Sequence, residues 1–147
     1  MRINGAPIES LADALTALIH EQRLSYAQIA RPGRLTRNTV RLIAIGKTRN
    51  PSEHTLVKIG VGLAVSPYTG HLDQEVLAMA LRRLGRASGH PDLGQRWAEN
   101  TIPVLLATVT GSVETATAWV QLIEQFPSLD EEHIRQLATL LARQQPG

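Results

Sequence analysis

This sequence lacks cysteine altogether, which excludes disulfide bonds, cysteine-based zinc sites and thiol nucleophiles. Aromatic residues make up only 3% of the chain, so the core must be built from leucine, isoleucine, valine and alanine. No apolar run approaches the roughly 18 residues needed to span a membrane, and the N-terminus has no signal-peptide core. We therefore expect a folded cytoplasmic protein with no membrane partner.

Motifs that mark common enzymes are also missing. The sequence contains no phosphate-binding loop, no nucleophile elbow and no paired-carboxylate motif. Its five histidines show no close metal-ligand spacing. We therefore expect no catalytic residues, no enzymatic activity, and neither a metal nor any other cofactor.

Charge is distributed unevenly along the chain. Residues 1–70 hold nine basic and four acidic residues, whereas residues 71–147 hold six basic and nine acidic ones. The net charges of the two halves are therefore +5 and −3. A basic half beside an acidic half predicts that only the N-terminal half meets a polyanion such as a nucleic acid.

The first half has the pattern of consecutive short helices, each preceded by a residue that can cap it. Ser25 followed by Gln28 is a capping box, and the helix that it opens must end at Pro32 and Gly33. Apolar residues recur at helical spacing, and no alternating pattern indicates a strand. The other capping residues, in chain order, are Ser10, Thr36 and Ser52.

The second half is also predicted to be helical, so the fold class is all-α. The expected boundary at 66–70 divides the chain into an N-terminal domain, 1–70, and a small C-terminal helical domain, 71–147. Within the second domain a new helix is expected to begin at Thr101, with Pro103 in its first turn. The other helical segments are predicted at 72–87, up to Asn100, 113–126 and 129–143.

The most informative segment, 25–51, has the pattern of two short helices joined by a Pro-Gly turn. In a helix that begins after Thr36, Val40 and Ile43 lie on one side and can pack on the preceding helix. Ala30 is small enough to let the two helix backbones approach closely. This layout is typical of a helix-turn-helix that binds double-stranded DNA.

The opposite side of the second helix carries side chains that suit base recognition. Arginine donates two hydrogen bonds to guanine, asparagine pairs with adenine, and leucine can contact a thymine methyl group. The expected base-contacting residues are Arg37, Asn38, Arg41 and Leu42. The basic loop at 46–50 suits phosphate oxygens, as do the backbone N–H groups at the start of the first helix. The expected phosphate-contacting residues are Ser25, Tyr26, Arg34, Thr36, Lys47, Thr48 and Arg49.

From about residue 11 to 67 the chain resembles the lambda/434 repressor-Cro family of helix-turn-helix domains, also called the XRE family. The matching residues are Ile29-Ala30, Val40, Ile43, GKTRNP at 46–51 and TLVKIGVGLAVSP at 55–67. The resemblance implies a five-helix DNA-binding domain whose fifth helix begins around Leu72. It also implies a sequence-specific transcription regulator in a bacterial cell, in particular a repressor such as the immunity repressor of a temperate phage.

By the same resemblance, the family's base-reading positions fall on Arg37, Asn38 and Leu42, with Arg41 between them. Its phosphate-contacting positions fall on Tyr26, Lys47 and Arg49.

The chain departs from this family at two places. The family's turn usually carries glycine four residues after the alanine, but here Gly33 comes three after Ala30, and Arg34 occupies the expected place. The family also often pairs an acidic residue near the end of the recognition helix with a basic residue on the first helix. Ala44 stands at the first of those places, and Ala14 and Thr16 stand where the basic partner would lie, so we expect an apolar contact there instead.

Two roles are open for the second half. Specific operators usually engage two recognition helices, so the C-terminal helices are expected to form a homodimer on a palindromic DNA site. Alternatively, the protein is a monomer whose second lobe contacts DNA through Arg82, Arg83 and Arg86, although salt bridges with neighbouring acids are the favoured role of these arginines.

A different functional class is an antitoxin-like interaction module. Such a protein would bind a partner protein through its C-terminal helices, and it would bind DNA only secondarily.

Overall fold

Six helices and a short β-hairpin make up the described part of this protein. The computed structural model describes Arg2–Ile3, Ala6–Pro7 and residues 9–103. The helices are α1 (Leu11–Gln22), α2 (Tyr26–Ala30), α3 (Arg37–Ala44), α4 (Glu53–Ala64), α5 (Gln74–Ser88) and α6 (Gly94–Thr101), the last of which is wound as a π-helix. The prediction of an all-α fold is confirmed for residues 9–103.

The hairpin near the N-terminus is the exception that sequence reasoning missed. Its strands, β1 (Arg2–Ile3) and β2 (Ala6–Pro7), pair antiparallel. Because each strand has only two residues, no alternating pattern can develop in the sequence.

The predicted helices at 113–126 and 129–143 lie outside the described residues. The homodimer, the C-terminal domain and the antitoxin-like alternative therefore stay predictions.

The helix starts are held by the capping residues that the sequence predicts. Ser10 accepts a hydrogen bond from the Asp13 N–H at 3.1 Å, and Ser25 forms the full capping box with Gln28. Such caps satisfy backbone N–H groups that the first helical turn leaves without a partner. Thr36 and Ser52 cap α3 and α4 in the same way. Asp73 also caps α5, whereas α6 begins without a side-chain cap.

The prediction that a new helix begins at Thr101 is wrong. The backbone stays helical through Ile102, whose N–H donates to the Trp97 carbonyl. The Thr101 hydroxyl does not cap a helix but donates to the Arg96 carbonyl at 2.6 Å. Threonine can bond either forward to a helix start or back to an earlier carbonyl, and the sequence does not distinguish the two.

One hydrophobic core runs through the described helices and across the predicted boundary at 66–70. It extends from Leu11 in α1 to Ile102 at the end of α6. Val65 and Leu72 form a β-bridge that ties α4 to the start of α5. Residues 72–102 therefore pack in the same core as the residues before 66, while the division into domains stays a prediction.

Two of these helices meet at a glycine. A Cβ atom on Gly62 of α4 would overlap the carbonyl oxygen of Ile29 and lie 2.8 Å from its carbonyl carbon. Only glycine therefore lets α4 approach the backbone of α2 this closely. This contact positions α2, the first helix of the candidate DNA-binding unit.

Among the described residues, none of the helices combines the length and apolar character that crossing a membrane requires.

Candidate nucleic-acid interface

The turn between α2 and α3 is a compact, hydrogen-bonded segment. The Arg34 N–H donates to the Arg31 carbonyl at 3.1 Å, and the Leu35 N–H donates to the Ala30 carbonyl at 2.9 Å. Arg34 has a φ of 55°, in the left-handed region that glycine adopts most easily. Arg34 therefore takes the backbone conformation that suits the glycine expected at this place.

Gly33 serves a different purpose in the same turn. A Cβ atom there would lie 2.6 Å from the Cβ of Lys58 in α4 and 3.3 Å from its Cα. Gly33 thus provides space for α4 rather than an unusual φ. Burial beneath the turn lowers the pKa of the Lys58 amine, because desolvation disfavours its charged form.

One face of α3 anchors the helix to the core. Val40 and Ile43 are buried as predicted, and Ala44 is buried beside them. The hydroxyl of Thr16 in α1 donates to the Ala44 carbonyl at 3.2 Å. A neutral hydrogen bond to the backbone therefore joins the two helices, and Ala14 and Ala44 are both buried in the same hydrophobic core.

The other face of α3 points to solvent. Three of the predicted base-contacting residues, Arg37, Asn38 and Arg41, are exposed, and Leu42 is half-buried. Ile45 follows on the same side and is 47% exposed, which is unusual for a large aliphatic residue. It lies seven residues after Asn38, and this spacing could have identified it as a candidate thymine-methyl contact.

Asn38 and Arg41 are bonded to each other on this face. The Arg41 Nε and Nη2 atoms donate to Asn38 Oδ1 at 3.2 and 3.0 Å. The two side chains, which were predicted as separate base contacts, therefore form one hydrogen-bonded pair.

The start of α2 lies next to the start of α3. Ser25, Tyr26 and Arg37 line a cleft of about 270 Å³ together with Thr16, Ile19 and Leu24. A predicted base contact and two predicted phosphate contacts thus meet at one place. The Ser25 N–H is engaged by Gln28 Oε1 at 2.9 Å, so the capping box uses the backbone donor that was assigned to phosphate.

The loop after α3 is anchored at its first residues. Gly46 has a φ of 83°, and the N–H groups of Lys47 and Thr48 both donate to the Leu42 carbonyl. The side chains of Lys47 and Arg49 are exposed, and that of Thr48 is half-buried. Two cationic side chains therefore extend from a backbone that is held against the end of α3.

The hydroxyl of Thr36 is used for capping. It accepts from the Thr39 N–H at 3.1 Å and lies 2.8 Å from the Thr39 hydroxyl. The roles of Thr36 and Arg34 in phosphate contact stay predictions.

The helix-turn-helix region carries positive charge without carboxylates. No aspartate or glutamate occurs between Glu21 and Glu53, a stretch that contains seven arginine and lysine residues. Glu21 and Glu53 are themselves paired with arginines outside this stretch, Arg83 and Arg96. A run of cationic residues with no carboxylate between them in the sequence favours a positive potential, which attracts a polyanion.

The three arginines proposed as a second DNA contact are placed differently. Arg83 pairs with Glu9 at 2.8 Å and with Glu21 at 2.9 Å, and it joins α5 to α1. Arg82 lies 3.8 Å from Glu99, and Arg86 is exposed. Arg82 and Arg83 therefore form salt bridges, although the partners of Arg83 are 62 and 74 positions away in the chain rather than neighbouring acids. DNA contact by any of the three arginines stays a prediction.

Because Arg83 forms ion pairs with Glu9 and Glu21, we expect the protein to lose a little stability in acid. Hydrogen bonds from Arg83 lower the pKa of the Glu9 carboxyl below its ordinary value of 4.5. A carboxyl with a lowered pKa in the folded state stabilises the fold above pH 4.5, and this contribution disappears as the pH falls through the lowered value. Because the pair is partly exposed, Glu9→Gln is expected to cost less than about 1 kcal/mol at pH 7.

Urea unfolding at pH 7 and at low pH measures this effect. The difference in the free energy of unfolding between the wild type and Glu9→Gln should shrink as the pH falls. The same substitution should cause no difference in an Arg83→Ala background. An equal difference at both pH values would contradict the assignment.

Among residues 9–103, no group of three or more histidine, aspartate or glutamate side chains is arranged to hold a metal ion. Comparison of the chain with protein-family models, curated proteins and solved structures found no match. The geometry and charge of α2, α3 and the loop that follows them are therefore the features that bear on function.

Proposed function

We propose that this protein is a sequence-specific transcription regulator that binds double-stranded DNA, most simply as a repressor. The observation that carries the proposal is the two-sided character of α3. One face of α3 is buried and carries Val40, Ile43 and Ala44. The opposite face is exposed and carries Arg37, Asn38 and Arg41. An exposed helix with arginine and asparagine side chains has the width and the hydrogen-bonding groups that the major groove accommodates.

The surroundings of α3 support the same proposal. Lys47 and Arg49 extend from the anchored loop after the helix, and Tyr26 lies near Arg37 at its start. Contacts at both ends of a recognition helix fix its position on the DNA backbone, while the exposed face between them contacts bases. The resemblance to the lambda/434 repressor-Cro family assigns the same roles to these positions.

A repressor of this kind would act in the bacterial cytoplasm, as phage immunity repressors do. Two copies of the chain would place two α3 helices about 34 Å apart on one face of the DNA, so that the operator is a palindrome.

Selection from a library of randomised DNA duplexes tests the proposal. The full-length protein is expected to enrich one sequence motif, and a dimer would enrich an inverted repeat of it. Failure to enrich any motif would contradict sequence-specific binding. An asymmetric motif would instead favour the monomer with two DNA-contacting lobes.

Two substitutions should then affect binding in different ways. Arg37→Ala is expected to weaken binding to the selected duplex by about 1–3 kcal/mol and to relax the preference at one base pair. Lys47→Ala is expected to weaken binding to all duplexes equally. It should also reduce the slope of log K against log salt by about 0.9, because one phosphate contact is lost.

Fluorescence anisotropy across a salt series measures both effects. Arg86→Ala removes the same charge from an exposed position on α5 and is the matched control. If Arg86→Ala reduced the salt slope as much as Lys47→Ala does, α5 would be part of the DNA-binding surface. Equal losses on every sequence after Arg37→Ala would remove Arg37 from base recognition.

A further inference from the structure

The hydrogen-bonded pair on α3 limits what its two members can offer to a base. Asn38 and Arg41 are three residues apart, so their side chains project side by side from the helix. Arginine has N–H donors and no acceptor, so the oxygen of the asparagine amide must face it. This orientation of Asn38 follows from the chemistry of its partner.

The pair presents only donors to an incoming ligand. A carbonyl oxygen has two lone pairs, and Asn38 Oδ1 already accepts two hydrogen bonds, from Nε and Nη2 of Arg41. Both N–H groups of Asn38 Nδ2 and three N–H groups of Arg41 remain. The exposed polar groups of this pair are therefore all N–H groups.

We infer that Asn38 and Arg41 act as one donor-only unit that reads guanine, with Asn38 positioning Arg41. This inference rests on the proposed function. In the major groove guanine presents two acceptors, O6 and N7, whereas adenine presents one acceptor and one donor. For Asn38 to pair with adenine, its Oδ1 would have to leave Arg41 and accept from the adenine amino group. The pair thus favours guanine and replaces the adenine contact expected from the sequence.

Positioning of Arg41 also has an energetic consequence. A long side chain loses rotamer freedom when it is immobilised at an interface, and this loss opposes binding. Since Asn38 already restricts the guanidinium group, less freedom remains to be lost when Arg41 meets a guanine. Removing Asn38 should therefore weaken recognition of the base that Arg41 contacts, and it should leave the preference at the other bases unchanged.

The test uses the full chain and the duplex selected from a randomised library. Arg41→Ala identifies the guanine that Arg41 contacts. At that base pair the protein's preference for guanine over adenine should fall by about 5- to 150-fold. Asn38→Ala is expected to reduce the preference at this same guanine. The double variant should discriminate no worse than Arg41→Ala alone, since the two residues act as a unit.

Two further probes separate positioning from direct contact. Asn38→Asp keeps an acceptor for Arg41, so it should preserve the guanine preference while its negative charge weakens binding to every duplex. Replacing the guanine with 7-deazaguanine removes the N7 acceptor, and wild-type binding should fall. Thermal unfolding of each variant shows whether the fold is retained. A purely structural role of Asn38 would change the stability of the protein but not its base preference.

The inference is overturned if Asn38→Ala relaxes the preference at an adenine and leaves the guanine preference intact. Additive losses in the double variant would overturn it equally. The proposed function fails separately, if the wild-type protein enriches no motif from the library.

Discussion

Gly62→Ala is expected to destabilise this protein by about 3 kcal/mol, since overpacking a rigid contact costs about 1–3 kcal/mol and occasionally more. The new methyl group would overlap the carbonyl oxygen of Ile29, and a backbone atom cannot rotate away. The higher helix propensity of alanine returns only about 1 kcal/mol. Because α2 must shift to make room, the variant should lose both stability and DNA binding.

Gly60→Ala is the matched control, because Gly60 lies in the same helix and is also buried. Its new methyl group would meet the side chain of Leu81, whose Cγ lies 2.9 Å away and which can shift more easily than a backbone carbonyl group. A smaller loss, about 1 kcal/mol, is therefore expected. Urea unfolding followed by circular dichroism measures both values. Equal losses in the two variants would show that the α2–α4 approach is not specially constrained.

Trp97→Ala is expected to cost about 3–5 kcal/mol, the range for removing a buried large aromatic side chain. Trp97 is the largest fully buried side chain among residues 9–103, at 1% exposure, and it belongs to the core that begins in α1. Its loss should therefore destabilise the DNA-binding helices as well as α6. A single unfolding transition, shifted as a whole, is the expected result.

Trp97→Phe is the control for this prediction. It keeps an aromatic ring in the core and removes the indole N–H, for which the described residues provide no hydrogen-bond partner. A cost of about 1 kcal/mol is expected for such a near-conservative exchange. Two separate transitions, with only one of them shifted by Trp97→Ala, would contradict the continuous core. That result would instead support independent domains divided at 66–70.

Local signals in the sequence were sufficient to locate most of the described helices. Ser25, Thr36 and Ser52 cap the helices at the predicted positions, because a cap acts within three residues of sequence. The buried positions on α3 were predictable from helical periodicity for the same reason. Thr101 was misassigned because its hydroxyl has two local options, and the packing of α6 decides between them.

Details that depend on contacts between distant residues were not predictable. Thr16 and Ala44 are 28 positions apart, and their hydrogen bond exists only because α1 and α3 pack together. Arg83 is paired with Glu9 across 74 positions. Arg34 adopts a left-handed φ, while Gly33 makes room for Lys58 on another helix. Sequence patterns reflect only residues that are close together in the chain, so they do not predict which distant residues meet in the fold.

The sequence by itself determined the helical class of residues 9–103, the caps of α1 to α4, the buried side of α3 and the absence of acids across the helix-turn-helix. These properties follow from residues close together in the chain, where propensity and periodicity act. The tertiary structure decided which glycines allow close helix contacts, that residues 72–102 share the core, and that the Thr16 hydroxyl donates to the Ala44 carbonyl. It also joined Asn38 to Arg41 on the exposed face. The helix brings these two side chains within reach of each other, but each could instead form hydrogen bonds with water. Their pairing therefore depends on the side-chain rotamers, which the sequence does not specify.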